Sequence, residues 1–211
     1  MLAAAACMAA GLPGWLLSAA AAASLAGWGY AAYAGWLPER RWHLGSAANL
    51  VTAFRWLAVA LLAALFPALT PWQTGLWAWG IFLADGLDGW LARRLGQASL
   101  AGEYLDKETD ALFVLTMGLL LYLSSRAGGW VLIPGALRYL YVLALIRWKP
   151  DTRKEPRFRF GRYAAGLLMA ALSTVWLLPD AWALPLLAPA VLLTVASFGV
   201  SIVSLRRIAR L

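Results

Sequence analysis

The chain is divided into apolar stretches of bilayer-crossing length, and this punctuation limits its folds more than any other property of the sequence. Stretches near 46–68, 72–94, 103–126, 129–147, 161–178 and 182–205 each approach the ~20 residues a helix needs to cross the hydrocarbon core. The breaks carry Pro67 and Pro71, Gly128 and Gly129, Lys149 and Pro150, and Pro179 beside Asp180. Hydrophobic residues make up 63% of the 211, with a mean hydropathy of +0.70, which is far from the balance of a soluble domain. Alternating strand patterns are absent, so the stretches predict helices rather than a barrel. The expectation is an all-α integral membrane protein, a six-span helical bundle.

Charge tests that topology. If the six spans alternate, Arg40, Arg41, Arg93, Arg94, Lys149, Arg153, Lys154, Arg157, Arg159, Arg206, Arg207 and Arg210 fall on one side. The other side receives little more than Arg126 and Asp180. The positive-inside rule then puts the 94–102 turn, the 149–161 loop and the C-terminus in the cytoplasm, as for a bacterial inner-membrane protein. The net charge of +8 is spread over short loops and forms no single basic face, which excludes a nucleic-acid-binding role. Cys7 is the single cysteine and has no intramolecular partner for a disulfide.

Residues 2–36 are apolar and rich in Ala and Gly, and no basic segment precedes them, so a secretory leader is disfavoured. We assign residues 1–37 as an additional N-terminal apolar helix, either a seventh span or a helix lying against the bundle. Residues 38–45, which mix charge with Trp42, suit an interfacial segment, and 46–211 form the membrane domain. The 13 tryptophans, many near span ends, read as interfacial belts. His43, the only histidine, lies in the interfacial segment and lacks a catalytic partner.

Within this apolar background stands a cluster that needs a cause. Asp85 and Asp88 are three apart at the end of the second span, and Asp106 and Asp110 are four apart at the start of the third. Each pair shares a helix face, and the turn between them lets the faces meet. Carboxylates in a membrane helix are costly and mark function. Four converging acids repel, and two divalent cations would cancel their formal charge; oxygen-only ligands select Mg²⁺ or Mn²⁺ over zinc. Two-metal sites suit phosphoryl chemistry. Gly89 and Ala92 clear space beside Asp88, Gly102 opens the next helix, and Arg93 lies one turn beyond Gly89, placed for a phosphate oxygen. Small residues at these positions also serve close helix packing.

The run Asp85-x₂-Asp88-Gly89-x₂-Ala92-Arg93-x₈-Gly102-x₃-Asp106-x₃-Asp110 resembles the signature of the CDP-alcohol phosphatidyltransferase family at every fixed position. The resemblance covers roughly residues 46–206. It implies a homodimeric helical enzyme that cleaves the pyrophosphate of CDP-diacylglycerol or a related CDP-alcohol. The substituted phosphoryl group passes to an acceptor alcohol and CMP leaves. By the same resemblance Asp85, Asp88, Asp106 and Asp110 hold two Mg²⁺ or Mn²⁺ ions, and Asp110 is the general base. Gly89, Ala92, Arg93 and Gly102 lie around the CDP moiety, with Ser99 in the connecting turn. Asn49, Thr52 and Arg55 are similar to the family's first-span element beside the nucleotide.

Two positions depart from the family pattern. Ala48 stands where a Pro often precedes the Asn, and Gly161-Arg162-Tyr163-Ala164-Ala165 keeps a basic residue but lacks the Thr of a Gly-Lys-x-x-Thr-like element. The candidate acceptor-binding residues are Arg138, Arg147 and Arg162. Arg138 is the most informative of them, because it falls inside an apolar span where a charge needs a partner. A phosphorylated acceptor such as glycerol 3-phosphate would use such residues, with serine, inositol phosphate and a second lipid as the other acceptors, and basic residues that only set topology are the alternative. Glu103 reads as a solvated acid favoured by the helix dipole, and Lys107 and Glu108 as boundary residues. A transporter of a cation or metabolite that uses the same acids is the competing function, and a catalytically silent assembly protein is a third.

Overall fold

The computed structural model describes residues 47–94, 100–148 and 159–208. The N-terminal segment 1–37 and the interfacial residues 38–45, His43 included, lie outside these. Six α-helices account for most of the described residues: α1 (Ala47–Leu65), α2 (Pro71–Arg94), α3 (Leu100–Leu123), α4 (Ile133–Trp148), α5 (Arg159–Thr174) and α6 (Ala183–Ile208). Each falls on one of the apolar stretches read from the sequence. No strand occurs among the described residues.

The breaks follow local chemistry. After α1 the chain tightens into a 3₁₀ turn at Phe66–Ala68 around Pro67, and α2 then starts at Pro71. Thr70 caps that start. Its hydroxyl accepts from the Gln73 N–H at 3.3 Å, while Gln73 Oε1 accepts from the Thr70 N–H at 2.8 Å. This reciprocal capping box satisfies two of the donors that a helix start leaves open. At the end of α3, Ser125 takes a positive φ of 58°, and the Arg126 N–H reaches back to the Leu121 carbonyl at 3.0 Å. That left-handed residue closes the helix and turns the chain.

Packing inverts the pattern of a soluble helix. On α1, Leu50, Phe54, Leu57, Leu61 and Leu65 are exposed, whereas Thr52, Arg55, Val59 and Leu62 are buried. Both stripes follow the helical three-four spacing, so one face meets its surroundings with hydrocarbon and the other meets the bundle. The inward stripe is polar at its start and apolar beyond. α3 is the central helix and packs against α1, α4 and α5; α2 joins α1 to α5, and α6 covers α4 and α5. Its residues Phe113, Met117, Leu120 and Leu121 form the middle of the core with Leu168 and Leu172 of α5 and Leu187 of α6.

Three stretches among the described residues are long and apolar enough to cross a membrane: Leu50–Ala68, Phe160–Leu177 and Asp180–Ser204. The protein is therefore an all-helical integral membrane protein. α2 and α3, at 24 residues each, have the length, but α3 in particular carries Glu103, Asp106, Lys107, Glu108 and Asp110. Trp176 also departs from the interfacial-belt reading. It is buried against Phe66 edge to face, with the Arg126 guanidinium 5.3 Å from its ring.

Candidate functional site

The polar start of the α1 stripe meets the acidic residues of α2 and α3. Arg55 projects from α1 with no exposure to solvent, and its guanidinium divides among three carboxylates. Nη1 lies 3.0 Å from Asp85 Oδ1 and 2.8 Å from Asp106 Oδ1, and Nη2 lies 2.6 Å from Asp110 Oδ1. The planar fork of arginine suits this arrangement, because its donors point in fixed, diverging directions. One positive charge faces three negative ones, so the described cluster keeps a formal surplus of two negative charges.

Burial gives the site a direction. The arginine side is sealed at 0% exposure, whereas the side chains of Asp85, Asp106 and Asp110 are 30%, 38% and 29% exposed. The acids are therefore partly accessible to solvent, while the arginine that joins them is not. One oxygen from each lies within 4.8 Å of the others, close enough for shared ligation of a cation. All donors are carboxylate oxygens, the set that hard divalent ions take. A guanidinium drawn in among them shows that the cluster attracts positive charge. The residues fit a hard divalent cation.

The other residues expected from the sequence fall as follows. Asp88, Gly89, Ala92 and Arg93 belong to the last turns of α2, but their side chains lie outside the described residues, as do those of Asn49 in α1 and Arg147 in α4. Ser99 is outside altogether. Gly102 is in the first turn of α3, half-buried, and Thr52 is buried one turn before Arg55. Arg162 is exposed at the start of α5.

Arg138 is in α4, inside the bundle, where its Nη2 donates to Glu108 Oε1 at 3.1 Å. The boundary reading of Glu108 is therefore corrected: the residue is 7% exposed and faces α4. Its position two residues from both Asp106 and Asp110 puts it on the opposite side of α3, and a charged residue in an apolar α4 requires such a partner. Lys107 pairs with Glu103 at 3.1 Å, one turn earlier, and both are half-buried rather than freely solvated.

These features define a class, an all-helical membrane protein whose polar centre is a carboxylate cluster around a buried arginine. The family model for CDP-alcohol phosphatidyltransferase matches residues 46–202, and the chain belongs to that family. It is 33% identical over 110 residues to a CDP-diacylglycerol--glycerol-3-phosphate 3-phosphatidyltransferase of Pseudomonas fluorescens, covering 49% of this chain. The matched stretch spans 55% of that relative's length. A protein of the same name from Salmonella choleraesuis (strain SC-B67) is 28% identical over 145 residues, covering 64% of this chain and 78% of the relative.

Proposed function

We propose that the protein transfers a phosphatidyl group from CDP-diacylglycerol, or a related CDP-alcohol, to an acceptor alcohol and releases CMP. The observation that carries this reading is the convergence of Asp85, Asp106 and Asp110 to within 4.8 Å at the open end of α1, α2 and α3. Asp88 completes the ligand set in this reading. Bound Mg²⁺ or Mn²⁺ would offset the charge of the pyrophosphate and of the departing CMP.

The remaining work falls to the chain's own groups. Arg93 meets a donor phosphate oxygen, and Gly89, Ala92 and Gly102 let the nucleotide approach the backbone, with Asn49, Thr52, Ser99 and the buried Arg55 beside it. Asp110 takes the proton from the acceptor hydroxyl. That oxygen bonds to the phosphorus bearing the lipid alcohol as the bond from this phosphorus to the bridging oxygen breaks, and CMP carries the bridging oxygen away. Holding both reactants beside the cluster supplies the orientation such a displacement needs.

Glycerol 3-phosphate is the acceptor favoured by the names of the two relatives, and Arg147 and Arg162 are its candidate contacts. The distribution of Lys and Arg supports six spans with the site at the cytoplasmic face of a bacterial inner membrane, and residues 1–37 as an additional helix. The family resemblance supports a homodimer. The test is to incubate purified protein with CDP-diacylglycerol, Mn²⁺ and a panel of alcohols, and to identify the lipid product by mass spectrometry. Phosphatidylglycerol phosphate formed only with glycerol 3-phosphate, and lost on chelation, is the expected result. Cation flux into proteoliposomes without CMP release would replace the reading with transport.

A further inference from the structure

A second charged contact lies inside the bundle, remote from the opening. Glu108 of α3 and Arg138 of α4 meet at 3.1 Å with side chains 9% and 11% exposed. Neither belongs to the aspartate pattern that defines the site. At about 100° per residue, Asp106 and Asp110 lie some 40° apart on α3, and Glu108 stands roughly 180° from their midpoint. The same two turns of one helix thus present two carboxylates to α1 and α2 and a third, on the opposite side, to α4.

Small residues bring α3 close to α4 and to the 3₁₀ turn that precedes it. A Cβ on Gly135 would come 3.0 Å from the Cα of Leu115, and one on Gly118 would come 2.9 Å from the Val131 carbonyl oxygen. Close approaches of this kind set separation, and an ion pair adds a contact with a direction. A hydrogen-bonded ion pair between buried groups has one direction and one length, and in an apolar interior it has no water to exchange with. A rotation of α3 by roughly 10° would carry a carboxylate about 6 Å from the helix axis through about 1 Å. Metal ligands tolerate errors of only about 0.2 Å.

We propose that Glu108 and Arg138 are positioning residues, an ion pair that fixes the rotation of α3 and thereby aims Asp106 and Asp110. The proposal rests on the reading of those aspartates as metal ligands. It gives Arg138 a different task from acceptor binding. An acceptor phosphate would have to displace Glu108 from a buried contact, whereas Arg162 stands exposed.

The test uses full-length protein in which both residues are replaced together, Glu108→Met with Arg138→Met. This double replacement keeps volume and leaves no buried charge unpaired, so the bundle folds. A second variant, Glu108→Gln, keeps the side chain's shape and its hydrogen bond while removing the charge. Mn²⁺ binding to the substrate-free protein is followed by electron paramagnetic resonance, and kcat and the acceptor KM are measured on the same preparations. We expect the Met pair to bind Mn²⁺ roughly tenfold more weakly and to lose a comparable factor in kcat, and Glu108→Gln, which keeps the directional hydrogen bond, to lose clearly less. The acceptor KM should stay within about twofold. Exchanging the two charges, Glu108→Arg with Arg138→Glu, should recover much of the loss. Mn²⁺ affinity and kcat unchanged in the Met pair would overturn the proposal, and so would a rise confined to the acceptor KM, which would return Arg138 to the acceptor. Wild-type protein that binds no Mn²⁺ would instead remove the metal reading itself.

Discussion

Two arginines are buried among the described residues, and they are balanced in different ways. Arg55 meets three carboxylates that are about a third exposed, one positive charge against three negative ones among the described residues. Arg138 meets Glu108, both nearly closed off, and the pair is neutral. A neutral, closed pair suits holding helices in register. A group with surplus charge at an opening still seeks cations. Charge balance and exposure, more than the presence of acids, separate the place where chemistry is expected from the place that supports it.

The largest effect that would sharpen this contrast is chemical. Asp110→Asn keeps the shape of the side chain but removes its basicity, and turnover should fall by about 10²–10⁴, the range for a lost general base. The acceptor KM, measured alongside, should change far less. A full rate in that variant would take Asp110 out of the reaction.

Next comes stability. Arg138→Ala leaves Glu108 buried without its ion-pair partner, which should cost about 3–5 kcal/mol. Arg55→Ala also removes a buried cation, but its acids reach the opening and accept another. In thermal unfolding, Mn²⁺ should restore Arg55→Ala and leave Arg138→Ala unrescued. Equal rescue of both would erase the distinction.

Packing should matter less. Gly135→Ala pushes a methyl to within 3.0 Å of the Leu115 Cα and should destabilise by about 1–3 kcal/mol, read as a lower unfolding temperature. Lys107→Ala breaks a partly solvated pair with Glu103 on the outer part of α3, and about 0.3–0.5 kcal/mol is expected there.

Much of this was legible before any coordinates. Apolar length and Pro/Gly punctuation located all six described helices, because a membrane helix satisfies its own backbone and needs little from its neighbours to exist. The spacing of Asp85, Asp106 and Asp110 foretold their meeting, since helical period and a short return turn leave few alternatives. The placement of Arg55 was only half legible. Its three-residue spacing from Thr52 put both on one face, but which helix that face would meet depended on packing. Glu108 was misread, because beside Lys107 and Asp106 it looks like one more charge at a helix start. Two signals in the sequence pointed to its place, its offset of two from each flanking aspartate and the need of Arg138 for an acid. Trp176 was also hidden, because an aromatic near a span end turns inward only when a cation such as Arg126 and a ring such as Phe66 receive it.

The central claim is that the acids around Arg55 make the protein a CDP-alcohol phosphotransferase. The most direct test is CMP release from CDP-diacylglycerol, with acceptor and Mn²⁺, by wild-type protein and by Asp106→Asn in the same detergent. The account predicts release by the wild type that a chelator stops, and a loss of at least about 10²-fold in the variant. Equal CMP release by the two proteins would contradict it.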